Sequence, residues 1–168
     1  MQNTYSWDQY FMSIAYMVSM KSKDISTRVG ALIVGKNNEI RATGYNGFPR
    51  GITDTYERYA DRERKYMLIT HAEENAILQC ARNGVVAEDC KVYVPWIPCC
   101  RCATSIIQAG IKEVIFDKNF PGNDDKQQRS WQHSISIAKD LMNEAGVLIR
   151  HYDGPLITIQ KLYNGEKC

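Results

Sequence analysis

The sequence predicts an α/β fold, a three-layer α-β-α arrangement with a mixed five-stranded sheet and helices on both faces. Three observations carry this. The chain has 168 residues, about one domain by length. It is 44% hydrophobic and 24% charged, enough of each for a buried core and a solvated surface. After an early hairpin, each further strand is reached through a helix, the order that builds parallel crossovers onto one sheet. No repeat, low-complexity block or composition break divides the chain. Residues 1–168 are therefore read as one domain, with 152–168 as a tail.

The elements follow in order. Trp7, Phe11, Ile14, Ala15 and Val18 recur at helical spacing over about Ser6–Met20, and Ser6 is placed to cap that helix. Val29–Val34 and Glu39–Gly44 read as two strands joined by the turn Lys36-Asn37-Asn38. From Asn46 to about Ile69 the chain is polar and irregular, and a loop of that length is usually functional. His71 opens a helix to about Asn83, stopped by Gly84. Lys91–Val94 is a strand, Cys99–Ala109 a helix ended by Gly110, and Glu113–Phe116 a strand. A loop with Pro121 and Gly122 leads to a helix over Trp131–Ala145, stopped by Gly146, and to a last strand, Val147–His151. From Asp153 the tail adds one short extended piece, Leu156–Ile159, or is loosely held.

The chemistry is concentrated in His71-Ala72-Glu73 and Pro98-Cys99-Cys100-Arg101-Cys102. Together they spell H-x-E then P-C-x-x-C, the pattern of zinc deaminases. Cys99 and Cys102 stand at i and i+3 on the first turn of a helix and share a face. The helix N-terminus carries partial positive charge, which lowers thiol pKa. His71 supplies a third, nitrogen ligand. Three protein ligands leave one tetrahedral position for water, the mark of a catalytic zinc, and zinc makes water acidic near neutral pH. Glu73, two residues from His71, is then placed to shuttle protons.

These residues admit other readings. A redox C-x-x-C leaves His71 and Glu73 unexplained. A closed structural zinc needs a fourth ligand, Cys80 or Cys100. Cys80 lies about 13 Å up the helix from His71, and Cys100 points about 100° away from Cys99. Cys80, Cys90 and Cys100 read instead as small buried or half-buried residues, Cys168 as an exposed tail thiol, and His133 and His151 as plain surface or core histidines. A disulfide framework does not fit a start, MQNTYSWDQY, without a secretory pattern. The expectation is a cytoplasmic protein.

Beyond the motif, four segments matter: Ser26–Ala31 (STRVGA), Gly44–Gly51 (GYNGFPRG), His71–Ile77 (HAEENAI) and Pro98–Phe116 (PCCRCATSIIQAGIKEVIF). With them the chain resembles the deoxycytidylate (dCMP) deaminase family, within the cytidine deaminase-like zinc fold, over about Trp7–His151. The resemblance implies hydrolysis of dCMP to dUMP with one catalytic Zn2+ per chain. It assigns His71, Cys99 and Cys102 to the metal and Glu73 to catalysis. It places Asn46 at the sugar and base, with Ala72 beside it, and Ser26 and Arg28 at the 5′-phosphate. Arg28 suits that role physically, because a guanidinium forks onto two phosphate oxygens. The resemblance further implies a homo-oligomer, a hexamer, regulated by dCTP and dTTP with Mg2+. Arg50 and Arg82 are the candidate effector residues.

Net charge is +2, which argues against a nucleic-acid substrate or a membrane surface. No apolar run approaches the ~20 residues of a membrane span. A small-molecule nucleotide is the expected partner. Two readings compete with dCMP: a deaminase of another cytosine nucleotide such as dCTP, and a non-catalytic zinc module, for which Glu73 would have no use.

Overall fold

The computed structural model describes residues 4–123, 131–158, 162–163 and 166–167. Helix α1 (Trp7–Ser19) begins where Ser6 accepts a hydrogen bond from the Gln9 amide at 3.1 Å, satisfying one orphan donor of the first turn. Its apolar stripe buries Phe11, Met12 and Ala15 against Leu32, Val34, Tyr93 and Ile115 of the sheet. Each large side chain so buried contributes roughly 1.5–3 kcal/mol. Trp7 departs from the expected stripe. It is 56% exposed and stacks on Phe11 at the helix rim.

Strands β1 (Gly30–Val34) and β2 (Ile40–Tyr45) form the predicted hairpin, turned through Asn38 at a φ of 64°. The sheet continues with β3 (Lys91–Val94), β4 (Glu113–Asp117) and β5 (Leu148–Tyr152), in the order β2-β1-β3-β4-β5. Strand β1 is antiparallel to β2 and β3, while β3, β4 and β5 are parallel. All five residues of β1 are buried, as a central strand covered on both faces requires.

Between β2 and β3 lie α2 (Tyr56–Ala60), α3 (Arg62–Leu68) and α4 (Ala72–Asn83). Helix α5 (Cys100–Gln108) joins β3 to β4, and α6 (Gln132–Glu144) joins β4 to β5. Ala76 and Cys80 of α4, Ile106 of α5 and Met142 of α6 share one cluster with Ile33, Val92 and Val114. Helix α1 thus covers one face of the sheet and α4, α5 and α6 the other. Gly44 lets α4 lie directly on β2: a Cβ there would meet the Ala72 carbonyl at 2.3 Å. Gly84 ends α4 in the left-handed conformation, at a φ of 66°.

One expectation is corrected. The stretch read as an irregular loop contains α2 and α3, capped by the Thr55 and Asp61 side chains. Neither helix shows an apolar stripe, because only Tyr59 and Lys65 in them are buried. In the tail, residues 156–158 form no strand, and Ile159 lies outside the described residues. A two-residue antiparallel pair, β6 (Leu162–Tyr163) with β7 (Glu166–Lys167), occurs instead. Cys168 also lies outside the described residues.

Strand β3 is where pairing changes from antiparallel to parallel. The start of β1, the end of β2 and the loop after β3 therefore meet at one end of the strands. Such switch points are where open sheets leave room for ligands.

Candidate metal and active site

His71 and Cys99 take the capping positions of α4 and α5, yet neither side chain caps its own helix. Both are left available at converging helix N-termini. Cys102 lies one turn into α5. The His71 Nδ1 stands 3.4 Å from the Cys99 Sγ and 3.4 Å from the Cys102 Sγ. The three ligand atoms lie within 4.8 Å of one another. Tetrahedral zinc with ordinary Zn–N and Zn–S bonds needs N···S separations of about 3.5 Å, so these residues fit the ion. Cys80 and Cys100 are not part of the cluster among the described residues. Cys80 and Cys90 are buried and Cys100 half-buried, as small packing residues.

The cluster is held from several directions. Arg101 of α5 pairs with Glu74 of α4 at 2.8 Å, tying the two helices together. The loop before Cys99 is braced by Asn123, which accepts from the Ile97 amide at 3.0 Å and donates to the Pro95 carbonyl at 2.9 Å. The Cys102 thiol and the His71 ring beside Cys99 pull its thiol down to about 4. The Cys99 sulfur and burial push Cys102 up, so Cys99 is the readier thiolate. Glu73 is 5% exposed, and burial pushes its carboxyl up to about 7 against the pull of His71. A carboxyl in that range takes and gives protons at neutral pH.

Beside the cluster is a cavity of about 100 Å³, whose lining includes Ser26, Asn46, Ala72 and Glu73. Trp96 and Trp131 wall it, their rings 6.0 Å apart, and the Trp131 ring stands edge-on to His71 at 6.0 Å. Asn46 does more than turn the chain. Its Oδ1 accepts from the Val29 amide at 2.8 Å, and its Nδ2 donates to the Thr27 carbonyl at 2.9 Å. Arg28 falls outside the lining: it is exposed, and its Nε donates to the Asp24 carbonyl at 3.3 Å. Arg50 and Arg82 are also exposed and outside it; Arg50 donates to Gln79 at 2.7 Å.

A buried ion pair went unseen in the sequence. Lys65 and Asp24 line the cavity with side chains 7% and 3% exposed, their charges 3.0 Å apart. Lys65 also donates to Ser26 Oγ at 2.7 Å, and Ser26 donates to Asp24 at 2.8 Å. Lys65 sits in a run of charge that reads as solvated surface, and its partner is 41 residues away. The aromatic wall of Trp96 and Trp131 gave no local signal either.

The family model for the cytidine and deoxycytidylate deaminase zinc-binding region matches residues 5–118. The chain belongs to this family. His71, Glu73, Cys99 and Cys102 all fall within the matched span. Deoxycytidylate deaminase of Homo sapiens is 39% identical over 151 residues, 87% of this chain and 79% of that protein. Its Mus musculus counterpart is 40% identical over the same coverage. A dCMP deaminase from the cyanophage S-TIM5, solved in complex with dCMP and dUMP, shares the family fold. Its TM-score is 0.69 at 24% identity, covering 90% of this chain and 100% of that one. The mixed sheet with helices on both faces is thus the fold of this family.

Proposed function

We infer that the protein hydrolyses dCMP to dUMP and ammonia, a reaction that supplies thymidylate synthesis. The observation that carries this reading is the juxtaposition of three metal-binding side chains with a buried, unligated Glu73 in one small cavity. The deoxycytidylate deaminases that the chain matches at 39–40% identity support the choice of substrate.

His71, Cys99 and Cys102 hold one zinc ion. When bound, the ion supplies Lewis acidity that makes water nucleophilic at neutral pH. Glu73 takes a proton from the attacking water and passes it to ring N3, while the water oxygen bonds to C4. Glu73 then carries the second proton to the amino group, the C4–N bond breaks, and ammonia leaves. The aromatic walls exclude solvent from the ring. Asn46, Ser26 and the backbone of Ala72 line the rest of the cavity and orient the base and sugar.

The same reading includes a cytoplasmic homohexamer regulated by dCTP and dTTP with Mg2+. Arg50 supports an effector role by its bond to Gln79, which brings the loop against α4 within one turn of Arg82. Ammonia release from dCMP, dCTP, CMP and deoxycytidine, each with and without dCTP or dTTP, tests the reading. dCMP is expected to have the highest kcat/KM. No release from any of the four, or a preference for dCTP, refutes it.

A further inference from the structure

The metal-binding side chains and Glu73 dictate how a cytosine ring lies, and the walls then decide what its remaining edge meets. With C4 at the cluster and N3 at Glu73, C5 points away from Glu73, because N3 and C5 flank C4 in the ring. The fold puts different residues on those two sides. Helix α4, which carries Glu73, packs on β2 and β1. Helix α6 packs on β5, at the opposite edge of the sheet. Toward α4 the cavity is lined by Val29, Asn46, Ala72 and Glu73. Toward β3 and α6 its described lining, apart from the ligand Cys99, is Trp96, Ile97, Trp131 and Ile135. These side chains are aliphatic or aromatic. The C5–C6 edge is the one edge of cytosine that carries only C–H bonds, so it loses no hydrogen bond against such a wall.

Depth separates these residues. Trp131 also lines a neighbouring, shallower hollow with Tyr66 and Arg62, so it stands at the mouth. Trp96, Ile97 and Ile135 line the inner cavity and not that hollow. Trp96 is the largest of the inner group and is firmly braced. Its ring lies 5.7 Å from that of Phe120 and 6.0 Å from that of Trp131. A Cβ at Gly122 would meet Trp96 Cε2 at 2.7 Å, so the indole rests directly on the bare glycine. Asn123 accepts from the Ile97 amide and donates to the Pro95 carbonyl, fixing the backbone on both sides of Trp96. A ring packed in this way yields little to a larger base.

We propose that Trp96 is a specificity-determining residue, the wall that closes the cavity against substituents on C5 of the base. This assignment rests on the reading of the protein as a dCMP deaminase and narrows it to cytosine with hydrogen at C5. The cavity is about 100 Å³, well under the ~300 Å³ at which pockets for whole small ligands begin, so the ring fills it. An added methyl group then has to displace Trp96 or draw C4 away from the cluster. One carbon too many in a filled apolar site costs a factor of about 10 to 200.

The test compares kcat/KM for dCMP, 5-methyl-dCMP and 5-hydroxymethyl-dCMP in the zinc-loaded wild type, Trp96→Leu, Trp96→Phe and Trp131→Leu. The wild type is expected to favour dCMP over either substituted compound by about tenfold or more. Trp96→Leu is expected to narrow that preference about tenfold, with Trp96→Phe in between. Trp131→Leu is expected to lower all three rates alike. The electronic effect of the substituent on C4 is the same in every variant and cancels between them. Calorimetric binding of dCMP and 5-methyl-dCMP to Glu73→Gln, with and without Trp96→Leu, repeats the comparison in the absence of turnover. A wild type indifferent to the substituent, a preference unmoved by Trp96→Leu, or one that narrows only in Trp131→Leu overturns the assignment and leaves the deaminase reading standing. If Trp96→Leu does not fold, Trp96→Phe decides, and an unchanged preference in it overturns the assignment equally. A wild type that deaminates none of the compounds overturns both.

Discussion

Lys65→Met removes one charge of the buried pair while keeping most of the side-chain volume. Lys65 Nζ lies 3.0 Å from Asp24 Oδ2 and 2.7 Å from Ser26 Oγ. Removing one partner of a buried pair costs about 3–5 kcal/mol, because the other charge stays behind unpaired. Asp24 keeps the Ser26 and Thr27 amides, the Ser26 hydroxyl and the Asn46 amide, so the lower end, about 3 kcal/mol, is expected. For a chain of 168 residues that is roughly 6–12 °C in Tm. Denaturant unfolding of the zinc-loaded protein measures it. Asp24→Asn with Lys65→Met should recover part of the loss, since no lone charge remains. Acidity gives a second view. Burial alone would raise the Asp24 carboxyl, but the surrounding amides, the Ser26 hydroxyl and Lys65 hold it below its usual value. Its stabilising contribution is thus complete above the unfolded value of ~3.9 and is lost as pH falls through the lower folded one. A Lys65→Met protein within about 0.5 kcal/mol of wild type, the range of an ordinary surface change, would refute the reasoning.

Glu73→Gln should retain zinc and lose about 10²- to 10⁴-fold in turnover, the range for a general acid–base group; metal content with rate measures it, and a wild-type rate would exclude the proton shuttle. Metal analysis should return one zinc per chain, and chelation should abolish turnover until zinc is restored; a second zinc would contradict the single site. Arg150→Ala should destabilise the protein without altering metal content. Arg150 forks onto Asp8 at 2.6 and 2.8 Å and bonds Glu113, joining α1 to β4 and β5. Both side chains of the Arg150–Asp8 pair are about one-third exposed, so about 1–2 kcal/mol is expected from thermal unfolding.

Every strand and helix of the sheet and its flanking layers was legible as a local pattern. Glycines at 84, 110 and 146 end helices α4, α5 and α6, each with positive φ, because few other residues adopt that conformation cheaply. The β1 run of apolar residues and the intervening helices likewise declared the central strand and the crossovers. What stayed hidden were α2 and α3. Their stability rests on side-chain caps and on the contacts of Tyr59 and Lys65, so their charge pattern resembles open loop. Trp7 misled for a related reason: helical spacing fixes which face a residue shares, not how far the sheet extends beneath it.

The chemistry of the site was determined by the sequence alone, because ligand type and i, i+3 spacing on one helix are local properties. That His71 and Cys99 stand at converging helix starts, 3.4 Å apart across 28 residues of chain, is a product of the fold. So are the Asp24–Lys65 pair, the Trp96–Trp131 wall and the placement of Arg28 outside the cavity. Each depends on which distant segments the sheet order brings together, and burial of a charge is decided by a partner that no nearby residue reveals.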